Sequence, residues 1–248
     1  MRKILLFLCL ISIITESSYS QTAKEIIAKS EAQMNGASSY AEMKMKIIRP
    51  TWTREMTMKS WALGTDYSLI IVTSPARDKG IGFLKRKKEM WNWQPKIDRV
   101  IKMPPSMMMQ SWMGSDFSND DLVQQSSPVN DFTHEIIKEE SIDGMPCWKI
   151  KLIPKPNAAV VWGSIITWVD KKNYLQLKTE FYDEDGELVN TMLGKNIKEM
   201  GGRIIPTLME VIPSGKPNEK TVIEQIAMNF NTKSNETFFS IQNMKKLQ

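Results

Sequence analysis

Turn signals recur along this chain at short, nearly regular intervals: Gly64-Thr65-Asp66, Arg86-Lys87, Asp143-Gly144, Asp185-Gly186, Gly201-Gly202 and Ser214-Gly215. They are flanked by strand-like runs such as DYSLIIVTS, KEMWNWQP, HEIIKEE, CWKIKLI, SIITWVD, YLQLKTEFY, ELVNTML, RIIPTLMEV and KTVIEQIAM. Asp-Gly and Gly-Gly between such runs favour tight hairpins, and tight hairpins join antiparallel neighbours. Parallel strands would need crossovers of about a dozen residues or more. The chain is thereby confined to an antiparallel meander of about ten strands with one irregular insertion, and a sheet of that size curls or closes.

The segment AEMKMKIIR opens the strand series. Ala41, Met43, Met45 and Ile47 alternate with Glu42, Lys44, Lys46 and Ile48, so one face is apolar and the other mostly charged. Before it, TAKEIIAKSEAQMNGA sets Ala23, Ile26, Ile27, Ser30 and Met34 on one helical face, starts at a capping Thr22 and ends near Gly36. An amphipathic helix precedes the sheet, which makes the class mainly β with some α.

The first twenty residues run from Arg2 and Lys3 through an apolar stretch, Ile4 to Ile14, to small residues at Ser18 and Ser20. That pattern is a secretory signal peptide cut near Ser20. Residues 21–248 then form one domain, since no composition break marks a linker and no fixed-period repeat is present. No later stretch is long and apolar enough to span a bilayer. Cys9 lies inside the apolar stretch, which argues against its lipidation. Processing would take the net charge from +5 to +4 and leave Cys147 as the one cysteine, so stability rests on a core and not on disulfides.

The densest basic run, Lys85 to Lys88, falls on an expected hairpin turn; a solvated turn that blunts a sheet edge outweighs contact with anionic headgroups. Nothing in so mild a charge points to nucleic acid.

Groups able to do chemistry are few. His134, the one histidine, falls on the polar face of a strand, with no second histidine and no nucleophile elbow to work with. Cys147 reads as a small buried residue. Asp116, Asp120 and Asp121 are the sole plausible cation site, but they lack the turn glycine and terminal glutamate of a calcium loop. Capping outweighs that role: Ser118 can cap a short helix whose first turn holds Asp120 and Asp121. No catalytic residue, metal or cofactor is expected.

What stands out instead is apolar content without chemistry. The segment Lys102 to Leu122, KMPPSMMMQSWMGSDFSNDDL, holds five methionines, a tryptophan and a phenylalanine that fit neither strand nor helix periodicity. Methionine is unbranched and polarizable, so it re-packs around ligands of variable shape and specifies a rigid core poorly. Pro104 to Met113 reads as an apolar cover and Gly114 to Leu122 as a capped anchor. Met107, Met108, Met109, Trp112, Met113 and Phe117 are the candidate ligand contacts there. Met43, Met45, Met56, Met58, Trp91 and Trp93 are the candidates on strands, each of which could equally fill a core.

An N-terminal helix, an antiparallel meander and the string WMGSDFSNDDL, Trp112 to Leu122, resemble the outer-membrane lipoprotein-sorting family, the LolA-like proteins, and within it a branch apart from the best-studied carriers. The resemblance implies a curved antiparallel sheet forming an unclosed barrel, with its concave face covered by the N-terminal helix and the central segment. It also implies a periplasmic carrier that binds the acyl chains of lipoproteins or another lipid, takes cargo from an inner-membrane exporter and passes it to an outer-membrane acceptor. A monomer is expected. An arginine helps close the lid in the family's best-studied carriers, and the sequence assigns that role to neither Arg49 nor Arg54. The alternative is a non-catalytic interaction or sensor module of an envelope exporter; a hydrolase built around His134 is a distant third.

Overall fold

The structure is a computed structural model that describes residues 21–123, 127–156, 158, 160 and 162–247. The expected signal peptide, residues 1–20 with Cys9, lies outside the described residues. The elements in chain order are α1 (Ala23–Asn35), β1 (Ser38–Ile48), β2 (Thr53–Leu63), β3 (Tyr67–Ser74), β4 (Gly82–Arg86), β5 (Glu89–Gln94), β6 (Arg99–Met103), α2 (Asn119–Val123), β7 (Phe132–Ile142), β8 (Met145–Pro154), β9 (Ser164–Asp170), β10 (Gln176–Tyr182), β11 (Leu188–Met200), β12 (Arg203–Pro213), β13 (Lys220–Phe230) and α3 (Ile241–Lys246).

The 13 strands among the described residues belong to one sheet in the order β6-β5-β4-β3-β2-β1-β13-β12-β11-β10-β9-β8-β7, with antiparallel pairing throughout. The chain enters at the centre, meanders outward to one edge, crosses to the opposite edge and meanders back until β13 pairs with β1. Strands β6 and β7 are the free edges, so the barrel is unclosed. The count exceeds the expected ten partly because β4 and β6 are only five residues long, too short for alternation to show. The turns follow the expected chemistry: Asp143 and Gly144, and likewise Gly201 and Gly202, both adopt positive φ, the type I′ geometry that matches strand twist.

Helix α1 begins with a reciprocal capping box. Thr22 Oγ1 accepts from the Glu25 N–H while Glu25 Oε2 accepts from the Thr22 N–H. Ala23, Ile26, Ile27 and Ser30 are its buried face, packed with Phe132, Ile150, Leu152, Ile165 and Val169. At its C-terminal end the Arg203 guanidinium donates to the carbonyls of Ala32 and Gln33, satisfying orphan acceptors and complementing the helix dipole.

The two faces of the sheet are filled differently. One face receives α1 and the crossover between β6 and β7, and its largest cluster joins Met43, Met45, Ile47, Met56 and Met58 to Met108, Trp112 and Phe117. On the other face α3 lays Met244, with Phe239, over Leu69, Ile71, Leu84 and Trp93. No helix among the described residues is long and apolar enough to cross a membrane.

Candidate functional site: a cavity roofed by the crossover

The crossover turns back on itself instead of running straight over the sheet. Trp112 N–H donates to the Phe117 carbonyl at 2.8 Å, Asn119 N–H to Gln110 at 3.0 Å and Asp120 N–H to Met108 at 3.1 Å, so residues 107–120 form a tongue stitched along its length. The chain reverses at Met113 and Gly114, both at positive φ. Ser118 and Asp121 cap α2 reciprocally: Ser118 N–H donates to Asp121 Oδ2 at 2.7 Å and Asp121 N–H to Ser118 Oγ at 3.1 Å. Phe117 and Trp112 sit on opposite arms of the tongue and both enter the core, so cover and anchor interleave and do not divide at Gly114.

Two arginines grip the tip. Arg49 makes a bidentate pair with Asp116, both contacts at 3.0 Å, and reaches the Gly114 carbonyl at 3.2 Å. Asp116 also accepts from Thr221 Oγ1 at 2.7 Å. The pair is well shielded, with side-chain exposures of 13% and 7%. Arg54 donates to the Met113 carbonyl at 3.1 Å and to Asp78 Oδ2 at 2.7 Å. Burial pushes the Asp78 carboxyl up, but the hydrogen bonds and charges of Arg54 and Arg77 outweigh it and hold the group below its ordinary range. Of the acids read as capping or cation-binding, Asp116 is therefore an ion-pair partner of a residue 67 positions away, and nothing local could have revealed that.

Beneath the tongue and beside α1 lies a cavity of about 320 Å³. Ile27 and Met34 of α1, Met43, Ile70 and Met228 of the sheet, and Phe117 of the tongue are among its apolar walls. Its charged lining is Glu31, Asp120 and Asp121. Glu31 accepts from Gln176 and Asn35, each at 3.1 Å, and burial raises its carboxyl above the usual range. Burial pushes Asp121 up to about 6, with the charge of Asp120 adding to the rise and the Ser118 hydrogen bonds opposing it.

Met43 and Phe117 line the cavity directly. Met45, Met56, Met58, Met108 and Trp112 are buried in the cluster between tongue and sheet, with Met107 and Met113 half-buried against it. Met109 is 63% exposed and points away from that cluster. Trp91 and Trp93 lie on the opposite face, in the cluster under α3, because alternation along β5 assigns the cavity-side positions to Met90 and Asn92. Glu31 and Asp121 carried no sequence signal as cavity residues.

One further expectation changes. Lys85 is no solvated turn residue: it is buried, its ammonium donates to the Thr65 carbonyl at 2.6 Å, and burial lowers its pKa against the pull of Asp120, Asp66 and Asp131. His134 is half-buried with Nε2 donating to the Pro128 carbonyl at 2.7 Å, and burial lowers its pKa. Cys147 is fully buried, with Sγ donating to the Met145 carbonyl at 3.3 Å.

Solved structures share the architecture. A DUF1329 family protein from Desulfovibrio piger superposes with a TM-score of 0.81 at 24% identity, covering 90% of this chain and 97% of that one. A putative outer membrane lipoprotein-sorting protein domain from Vibrio parahaemolyticus gives 0.80 at 24%, covering 90% and 98%. A LolA superfamily protein from Nitrosomonas europaea gives 0.78 at 20%, covering 90% and 99%. At such identities the likeness establishes the fold. No curated protein matches the sequence significantly. A family model described as "Uncharacterized protein" matches residues 64–246, about three quarters of the chain. The chain therefore belongs to that family and has the LolA-like fold, a single open antiparallel sheet roofed on one face by helix and crossover.

Proposed function

We propose that the protein is a non-catalytic lipid carrier that holds an aliphatic chain, free or attached to a lipoprotein, in the cavity under the tongue. The observation that carries this reading is the cavity itself. Its 320 Å³ falls at the small end of ligand pockets, roughly 300–1,000 Å³, which suits one chain better than several. Met34 of α1 and Met43, Met192, Met209 and Met228 of the sheet supply walls that re-pack as the chain enters and leaves. The fold shared with the putative outer membrane lipoprotein-sorting protein domain from Vibrio parahaemolyticus supports the same assignment. A periplasmic setting, cleavage near Ser20, one domain over 21–248, and handover between an inner-membrane exporter and an outer-membrane acceptor complete the proposal.

Each buried methylene contributes about 0.8 kcal/mol, so decanol should bind roughly tenfold more tightly than octanol in a calorimetric titration. Ala41, buried at the cavity wall, provides the control. Ala41→Phe fills the space and should weaken decanol binding about tenfold or more while the fold is retained. Absence of saturable binding, together with no lipid in organic extracts of gently purified protein, would sink the carrier assignment.

A further inference from the structure

The cavity wall is unbalanced in charge. Glu31, Asp120 and Asp121 contribute three carboxyl groups, while no lysine, arginine or histidine among the described residues lines it. Lys85 stands behind the wall, and its attraction to Asp120 offsets part of one of these charges. Glu31 and Asp121 have no cationic partner among the described residues: their hydrogen bonds come from the Gln176 and Asn35 amides and from the Ser118 hydroxyl and backbone. A wall of this kind repels an anion, because like charges about 4 Å apart cost several kcal/mol at the effective dielectric of a protein. It attracts a cation or a neutral donor for the same reason.

A second observation points to a polar group on the ligand. The side-chain oxygens of Gln225 and Ser68, both on the wall, are buried without a hydrogen-bond partner among the described residues. A buried polar atom left unpaired costs about 1–3 kcal/mol. A chain that brings its own polar end into the cavity would recover that cost, whereas a pure hydrocarbon would not. The carboxyl groups then decide which kind of polar end is accepted.

We propose that this cavity selects aliphatic ligands whose buried end donates hydrogen bonds and carries no negative charge, with an aliphatic amine preferred, and that it turns away chains ending in a carboxylate. The inference rests on the carrier reading and specifies its ligand class.

The test is calorimetric titration of the whole protein at neutral pH with decylamine, decanol and decanoate, each below its micelle concentration. Decylamine should bind at least about tenfold more tightly than decanoate, equivalent to roughly 1.4 kcal/mol, with decanol between them. In Glu31→Gln, and separately in Asp121→Asn, the amine-to-carboxylate ratio should fall severalfold. Equal or tighter binding of decanoate, or a ratio unmoved in both variants, overturns the selectivity while leaving the carrier reading intact. Failure of all three chains to bind overturns both.

Discussion

At the scale of single residues, Arg49 and Asp116 decide whether the tongue stays down. Their bidentate geometry and shielding make this pair costly to break, because removing one partner leaves the other charge buried alone. Arg49→Ala should lower unfolding stability by about 3 kcal/mol and open the 107–120 stretch to limited proteolysis. Arg49→Lys should lose less, since an ammonium keeps the charge but not the fork. A urea midpoint unchanged by Arg49→Ala would remove the clasp from the account. Asp121 has the opposite sign. Its carboxyl is raised from 3.8 to about 6, so the stability it contributes is complete below about pH 4 and declines as pH rises through 6. Asp121→Asn abolishes that decline. The variant should gain on the wild type by up to roughly 3 kcal/mol between about pH 4 and pH 8, and parallel pH profiles for the two proteins would contradict this. Trp112 of the tongue is fully buried, its ring tilted against Phe83 at 5.2 Å between centroids; Trp112→Ala should cost about 3–5 kcal/mol in the same urea assay.

Elements explain why the cavity keeps its shape. Gly194, inside β11, has no room for a side chain, since a Cβ there would meet the Gln176 carbonyl oxygen at 2.5 Å and the Pro206 ring at 3.2 Å. Because Gln176 also holds Glu31, Gly194→Ala should push β10 away from α1 and lose about 1–3 kcal/mol. Thermal unfolding checks this, and a midpoint equal to wild type would mean that β10 has more slack than its backbone contact implies. Helix α3 acts on the other face. It covers Leu84 and Trp93, and its Met244 lies over Gly82, where a Cβ would approach the methionine side chain at 2.7 Å. The tryptophans of β5 belong to this layer. Their distance from the cavity follows from alternation along β5, which turns Met90 towards the tongue and the tryptophans towards α3.

Across the whole molecule, the meander, the leading helix and the turn chemistry were legible because each depends on residues within a few positions of one another: Asp143-Gly144 and Gly201-Gly202 at hairpins, Thr22 with Glu25 at the start of α1, and Met43, Met45 and Ile47 on one face of β1. The Met-rich segment was legible as an irregular insertion for the same reason, since neither period fits it. Its path was not. The sheet order brings β1 beside β13 and leaves β6 and β7 as edges, so the chain between those edges must pass over the open face. Only that passage brings Asp116 to Arg49 and Thr221, Asp121 to the wall that Glu31 shares, and Lys85 beneath a roof instead of into solvent. Local sequence thus determined the strands, the turns and the capping of this protein, because these are settled by backbone conformation and short-range hydrogen bonds. The clasp, the cavity and the sign of its charge were decided by tertiary structure, because they depend on burial and on Coulomb interactions between residues far apart in the chain, and these acquire their strength only when the fold excludes water.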